Sequence, residues 1–326
     1  MLRSKIFIAA ALAATAAFFI FSNNISKKDH LPLIAIANYG PHSSLIETIA
    51  GLKQKLTSLG YIEGKTVRYE ISDVNFETSM ILQMLSKLKS HKPKIIVVLS
   101  TPIAQVAKNT IKDIPIVYAD VTDPAAAGLV SNDRSSNITG ASDKQDISLV
   151  LKLAKDLIPN AKKLGVLYSI GEANDTALVK MLEQSAKTLG LDVLSVPVEH
   201  SRDASTRMMA FKGNVDFIYT GSSGGIQAAL PAIAAAADAM SIPLFNFNAD
   251  EVKSNLALAS FGVSHRQVGS NAAILVDKIL KGKSPESIEV MHPKISDHSA
   301  YINLKKANKL GIIIPKNLPQ NPNIVE

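Results

Sequence analysis

The stretch "IIVVLSTPIAQVAKNTIKDIPIVYADV", residues 95–121, contains the repeating unit of this chain. Two β-branched apolar runs, 95–100 and 114–121, flank a segment that opens with Ser100-Thr101-Pro102 and has helical character. Continuous apolar runs of this length are typical of strands buried on both faces. Strand, helix and strand in succession predict neighbouring parallel strands joined by a crossover helix.

The same alternation extends outward in both directions. Upstream, strands are predicted at 33–38 and 66–72, and Leu45, Ile49, Leu52, Leu56 and Leu59 follow a helical spacing. Downstream, the pattern restarts with the runs 163–169, 192–198, 215–221 and 242–247. The short polar segment 135–143 lies between the two series and is typical of a crossover rather than a long linker. The chain is therefore predicted to form an α/β protein with two similar halves.

Composition excludes several classes of function. The 326 residues contain no cysteine, which removes disulfides, zinc–cysteine sites and cysteine nucleophiles. The formal charge of +7 comes from scattered Lys and Arg, and only 5% of residues are aromatic, so nucleic-acid binding is not expected. A P-loop, a dinucleotide glycine fingerprint and an H-E-x-x-H motif are all absent, and the histidines show no metal-ligand spacing. No cofactor and no metal site are predicted.

The first segment predicts export. "MLRSKIFIAAALAATAAFFIFSNN" has Arg3 and Lys5, then an apolar stretch from Ile6 to Phe21, then polar residues. A basic start, a short apolar core and a polar exit describe an export signal over residues 1–28. An uncleaved N-terminal anchor is the alternative. In both cases the body of the protein is expected in the periplasm or another extracytoplasmic space.

Several longer stretches carry a family resemblance. The segments 100–130, 137–143, 158–175 and 242–269 resemble the ABC-transporter substrate-binding proteins, in the family that includes tryptophan- and phenylalanine-binding members. The resemblance implies the type I periplasmic binding fold: two doubly wound parallel-sheet lobes joined by crossovers near 140, 244 and 287. It assigns residues 29–141 plus 244–286 to an N-terminal lobe and 142–243 plus 287–326 to a C-terminal lobe. One small ligand would lie in the cleft between them.

Polar residues at the predicted strand ends are the candidates for ligand contact, because ligands of doubly wound sheets bind beyond the carboxyl ends of the strands. Caps and turns are the alternative explanation for many of them. For Ser100 and Thr101 the hydroxyls and free N–H groups of a helix start suit a ligand carboxylate. The candidates are Asn38, Tyr39, His42, Ser100, Thr101, Thr122, Asp123, Glu172, Asn174, Ser222, Ser223, Asn246, Asn248 and Arg266.

Ser223 also lies in a G-x-S-x-G pattern, Gly221 to Gly225, between a strand-like run and a helical run. This context suits a hydrolase nucleophile, with Asp250 and His265 following in chain order. No oxyanion-loop motif precedes it, and similar family members carry an Asp-Asn pair at Ser223-Gly224. A serine hydrolase is therefore the remote alternative, and the chain is predicted not to be an enzyme.

The expected function is that of the solute-binding component of an ABC importer. A monomer would trap an amino acid or related metabolite by hinge closure and deliver it to a permease in the inner membrane; a subunit feeding a signalling receptor is the alternative. The chain departs from the family at Ser223-Gly224, Asn248 and His265-Arg266, and if these positions face the cleft, it has fewer carboxylates and one added cation. The alternative is that Arg266 faces solvent on the helix that begins near His265. The departures predict a ligand that is neutral or anionic overall, with tryptophan and phenylalanine as the alternative.

Overall fold

The computed structural model describes residues 31–130 and 136–326, and within them the chain forms two separate sheets. The first sheet has the strand order β2-β1-β3-β4-β5, with every pairing parallel. Its strands are β1 (Leu33–Asn38), β2 (Arg68–Asp73), β3 (Ile95–Leu99), β4 (Ile116–Val121) and β5 (Ile138–Ser142).

The second sheet has the order β12-β11-β10-β9-β8-β6-β7. Strand β11 runs antiparallel to β10, and the other described pairings are parallel. Its strands are β6 (Lys163–Ser169), β7 (Asp192–Val198), β8 (Phe217–Thr220), β9 (Leu244–Asn246), β10 (Ala259–Val263), β11 (His298–Asn303) and β12 (Asn323–Val325).

Helices cover the two sheets. Three short 3₁₀ turns, Thr78–Met80, Ser201–Asp203 and Met208–Phe211, directly flank helices, and two more, Pro285–Ser287 and Ile295–Asp297, lie in the connection before β11. The α-helices are α1 (Ser43–Ser58), α2 (Ile81–Ser90), α3 (Thr101–Thr110), α4 (Ile147–Leu157), α5 (Ala173–Thr188), α6 (Ala204–Arg207), α7 (Gly224–Ala228), α8 (Leu230–Met240), α9 (Ala249–Lys253), α10 (His265–Leu280) and α11 (Leu304–Leu310).

The predicted α/β class with two parallel-dominated sheets is confirmed, and each sheet has its own hydrophobic core. The strands β1, β3 and β4 are buried along their whole length, as expected for strands covered on both faces. We call β1–β5 with α1–α3 and α10 the first lobe, because α10 packs into the core of the first sheet. The remaining strands and α-helices form the second lobe.

Two glycines allow α1 and α10 to pack with their backbones close together. A Cβ built on Gly51 would lie 2.0 Å from the carbonyl oxygen of Arg266, and one on Gly269 would lie 2.0 Å from that of Thr48. The Thr48 hydroxyl also donates to the His265 carbonyl at 3.1 Å. This contact fixes the position of the start of α10, where His265 lies.

The structure corrects one predicted boundary. The return to the first lobe was expected near residue 244, but β9 pairs with β8 and β10 pairs with β9, so residues 244–263 belong to the second sheet. The crossover lies instead at Ser264, directly before α10. A further crossover follows Met291, which still bonds to Gly140 and Ser142 beside β5 before the chain enters β11. A three-residue strand such as β9 carries too little pattern to reveal its sheet.

Among residues 31–130 and 136–326, no helix is long and apolar enough to cross a membrane. The predicted export segment, residues 1–28, lies outside the described residues.

Candidate functional site

The carboxyl ends of the strands in both lobes face one narrow cleft. First-lobe residues Tyr39 and Ser100 lie on one wall, and second-lobe residues Asn174 and Ser222 lie on the other. The space between them is about 20 Å³, comparable to that of a single water. The lobes are therefore closed on one another in this structure.

Phe76, Ser100 and Asp120 on the first-lobe wall have a left-handed backbone, and the last two lie in or directly after a strand. Ser100, at the end of β3, has a φ of 81°, and Asp120, in β4, has a φ of 54°. Asp120 also lies where the pairing of β4 with β5 shifts register between Ala119 and Val121. A bulge of this kind redirects a side chain, and unusual backbone conformations are concentrated at functional sites. Here the bulge directs the Asp120 carboxylate to the base of the cleft.

Asp120, Asp143 and His265 form a buried polar cluster at that base. Asp143 follows β5 at the first crossover, and His265 begins α10 directly after the second. One oxygen of each carboxyl and one ring nitrogen lie within 4.8 Å of one another. His265 Nδ1 is 2.8 Å from Asp120 Oδ1. Three charged or polar groups from distant parts of the sequence thus meet where the lobes join.

Burial and mutual charge shift the pKa values of this cluster. Burial, followed by the neighbouring Asp120 charge, raises the pKa of Asp143 to about 7. Burial opposes protonation of His265, but the Asp120 carboxylate bonded to it outweighs that effect, and the pKa of the imidazole is raised. Asp143 therefore exchanges its proton near neutral pH.

The second-lobe wall contributes two further buried carboxyl groups. Glu172 accepts hydrogen bonds from the backbone N–H groups of Gly224 and Gly225, each at 3.2 Å. Asp175 accepts one from the Ser169 N–H at 2.7 Å. Burial raises the pKa of both groups, that of Asp175 to about 7 with the Glu172 charge as its second cause. The start of α7 is therefore occupied by the protein's own Glu172 carboxylate.

Aromatic rings line the rest of the cleft. Tyr39 and Phe76 meet edge to face with ring centroids 5.5 Å apart. Phe247, from the second lobe, stacks on His42 at 6.0 Å and meets His265 edge to face at 5.5 Å. The cleft thus combines an acidic base with apolar, aromatic walls.

Direct hydrogen bonds join the two lobes across the cleft. The Tyr39 hydroxyl donates to Glu172 at 3.4 Å, and the Thr122 and Ser222 hydroxyls are 3.3 Å apart. Beside the cleft, Glu251 lies 3.3 Å from His42 Nε2 and accepts from the Ser43 hydroxyl at 3.2 Å. These contacts hold only while the lobes are closed, because their partners lie on different lobes.

The predicted site residues divide into two groups. Tyr39, His42, Ser100, Thr122, Asn174 and Ser222 line the cleft, and Glu172 lies directly behind Tyr39.

The others lie outside the two cleft cavities and have structural contacts. The Asn38 amide donates to the Gly40 carbonyl, and Asn246 bonds to Thr220 and to the Asn248 N–H. Asn248 caps α9 and donates to Ser43. Asp123 accepts from the Ala126 N–H in a turn, and Thr101 is buried in the first turn of α3.

Arg266 does not face the cleft. Its side chain is half exposed and bonds bidentately to Glu47 at 2.8 and 3.1 Å and to Gln54 at 3.0 Å, all on α1. Successive helical residues point about 100° apart, so the neighbouring His265 turns inward while Arg266 turns outward. The expectation that Arg266 adds a cation to the cleft is therefore wrong, and the alternative, that Arg266 faces solvent, describes its position.

The G-x-S-x-G segment does not assemble a nucleophile and base. Ser223 is fully buried, and its hydroxyl has no hydrogen-bond partner among the described residues. His265, the candidate base, is bonded to Asp120 instead. Ser223 stands at the N-cap of α7, which is a structural position.

Sequence reasoning missed Asp120, Asp143, Phe76 and Phe247. The sequence did contain one signal for Asp120, because it is an acidic residue inside the apolar run "IVYADV". A charged side chain in a buried strand is costly unless it has a partner. Asp143 gave a similar signal, because it is an acidic residue at the end of the predicted crossover segment 135–143. Together with Glu172 and Asp175 they give the cleft region four carboxyl groups, whereas no Lys or Arg lines the two cleft cavities in the described part of the chain. Chemically, this arrangement suits a positively charged group, either an organic ammonium or a metal ion.

Comparison with known proteins identifies relatives over almost the whole chain. A family model described as "ABC transporter substrate binding protein" matches residues 33–325. A curated relative from Clostridioides difficile, named tyrosine-binding protein, is 32% identical over 259 residues, which are 79% of this chain and 75% of that protein.

Solved structures agree. A conserved domain protein from Vibrio cholerae superposes with a TM-score of 0.86 at 30% identity, covering 90% of this chain and 99% of that one. The ABC domain in complex with L-Trp from Streptococcus pneumonia gives a TM-score of 0.85 at 26% identity, covering 91% of this chain and all of that one.

Proposed function

The chain belongs to the ABC transporter substrate-binding proteins, and from this premise we propose that it traps an amino acid between its lobes and delivers it to an ABC permease. The observation that carries the proposal is the cleft itself: acidic at its base, aromatic on its walls and closed by hydrogen bonds between the lobes. Relatives named for tyrosine binding and solved with L-Trp support the amino-acid class.

The two ends of an amino acid match two regions of the cleft. The ligand carboxylate would lie at the start of α3, where Ser100 does not cap the helix with its own side chain. The first N–H groups of a helix have no partner within it and favour an anion. The rings of Tyr39, Phe76 and Phe247 would contact the ligand side chain, and an aromatic or large apolar side chain fits them best.

Closure follows from the same geometry. A ligand that contacts both walls binds the closed form better than the open form, and only that difference in affinity can shift the equilibrium. The closed form would be the one that the permease recognises. We further propose that the protein acts as a monomer outside the cytoplasm, exported by residues 1–28.

A thermal-shift screen of the twenty L-amino acids tests the proposal. Ligand at about 100 times its dissociation constant adds about 2.7 kcal/mol of stability, which raises the melting temperature of a 300-residue protein by a few degrees. We expect stabilisation by one or more aromatic or large apolar amino acids. Absence of stabilisation by any of the twenty would overturn the proposed ligand class.

A further inference from the structure

Three buried atoms at the base of the cleft have no hydrogen-bond partner among the described residues. They are Asp120 Oδ2, Asp143 Oδ1 and His265 Nε2, and each residue is at least nine-tenths buried and lines the cleft. Buried polar atoms without partners are rare in folded proteins because each loses its hydration without compensation. Their presence together indicates a missing partner of complementary chemistry.

The three atoms suit one donor group. Two are carboxylate oxygens, which only accept hydrogen bonds when ionised. When His265 Nδ1 donates to Asp120, the neutral ring offers Nε2 as a third acceptor. A primary ammonium has three N–H groups, and three acceptors facing one small space can each take one.

We propose that Asp120, Asp143 and His265 form the subsite for the ligand's ammonium group and select for a primary amine. This inference rests on the proposed function, because it concerns one end of the same ligand. Ser100, whose hydroxyl suits the carboxylate, lines the same cavity. A bare metal ion would leave that hydroxyl and the aromatic walls without a role, so the geometry favours an organic ammonium.

Occupation of the subsite releases protons. The charged groups that face Asp143 are Asp120 and His265. Tyr219 also lies near Asp143, but burial and the Asp143 charge raise the pKa of its hydroxyl, so Tyr219 stays neutral. The Asp250 charge raises the pKa of His265. An arriving positive charge lowers the pKa of Asp143 from about 7 and disfavours the imidazolium. Both changes drive protons off the protein near pH 7.

The first test is calorimetry with L-tyrosine, tyramine and 3-(4-hydroxyphenyl)propionate, which differ in the amino and carboxyl groups. The wild type should bind L-tyrosine more tightly than the propionate. Asp120→Asn and Asp143→Asn should each weaken L-tyrosine about 10- to 100-fold, the range for a lost hydrogen bond to a charged group. Neither should weaken the propionate. Asp123→Asn, outside the cleft cavities, is the matched control and should bind like the wild type.

The second test needs no variant. Titration of the wild type at pH 7 in two buffers with different ionisation enthalpies should show net proton release with L-tyrosine and tyramine, and none with the propionate. Equal L-tyrosine affinity in the Asp variants and the wild type would overturn the subsite and leave the proposed function intact. No binding of any amino acid by the wild type would overturn the proposed function. A melting-temperature rise with Ca²⁺, Mg²⁺ or Zn²⁺ that is lost in Asp143→Asn would make the cluster a metal site and overturn the amine proposal.

Discussion

Substitution of Gly224 by alanine should hold the lobes apart without unfolding either one. Gly224 begins α7 in the second lobe, and a Cβ built there would lie 2.4 Å from Tyr39 Cε1 and 2.7 Å from Phe76 Cδ1, both in the first lobe. Carbon atoms pack best about 3.5–4.0 Å apart, so the walls must separate by roughly 1 Å. The Tyr39 hydroxyl is bonded to Glu172, which restricts escape of the ring.

The expected cost falls on ligand binding rather than on folding. Overpacking of this kind costs about 1–3 kcal/mol, and because the clash exists only in the closed form, the dissociation constant should rise about 5- to 150-fold. Alanine is intrinsically better than glycine in a helix by about 0.5–1 kcal/mol, so the ligand-free protein should melt no lower than the wild type.

Gly225→Ala is the matched control, since its Cβ would find nothing closer than Ser169 Oγ at 3.7 Å. Calorimetry with an amino acid identified in the screen gives the dissociation constants, and calorimetric melting without ligand checks the fold. If Gly224→Ala binds as tightly as Gly225→Ala, then Tyr39 and Phe76 do not press on α7 in the bound state.

Three further outcomes follow from the structure. Arg266→Ala should change amino-acid affinity less than about twofold in calorimetry, because the side chain forms a surface ion pair with Glu47. Such a pair contributes about 0–1 kcal/mol to stability, and a large loss of affinity would show instead that Arg266 contacts the ligand. Gly269→Ala should lower the free energy of unfolding in urea by about 1–3 kcal/mol or more, since its Cβ would lie 2.0 Å from the Thr48 carbonyl oxygen, whereas Gly171→Ala, with no atom within 4 Å, should not. Affinity for L-tyrosine should rise between pH 6 and pH 8, because the deprotonated Asp143, whose pKa is about 7, is the form that accepts an ammonium; affinity that falls over this range would contradict that role.

The architecture could be predicted from the sequence because most of its strands are buried on both faces. Runs such as 95–100 are almost entirely apolar, so their composition alone indicates a buried strand. The lobe boundary that was expected near residue 244 could not be predicted correctly from the sequence. The three residues of β9 belong to the second sheet because they pair with β8 and β10, and a run of three residues has no pattern that indicates these partners.

The candidate site was only partly predictable. Strand-end positions such as Ser100 and Ser222 follow from the rule for doubly wound sheets, and both line the cleft. The acidic base depends on a bulge at Asp120 and on two crossovers that bring Asp143 and His265 to it. Bulges and crossover paths are tertiary features. Likewise, one step along α10 separates an inward His265 from an outward Arg266, and the sequence alone does not fix that rotation.

The central claim, that an amino acid closes two lobes around itself, is tested most directly by the distance between the lobes in solution. The chain has no cysteine, so Lys87→Cys on α2 and Glu183→Cys on α5, both exposed, can carry a pair of spin labels. Double electron–electron resonance on the labelled protein should give one narrow distance with saturating L-tyrosine, or with the amino acid that the screen selects. Without ligand it should give a broader, displaced distribution. Identical distributions with and without a bound amino acid would contradict closure on the ligand.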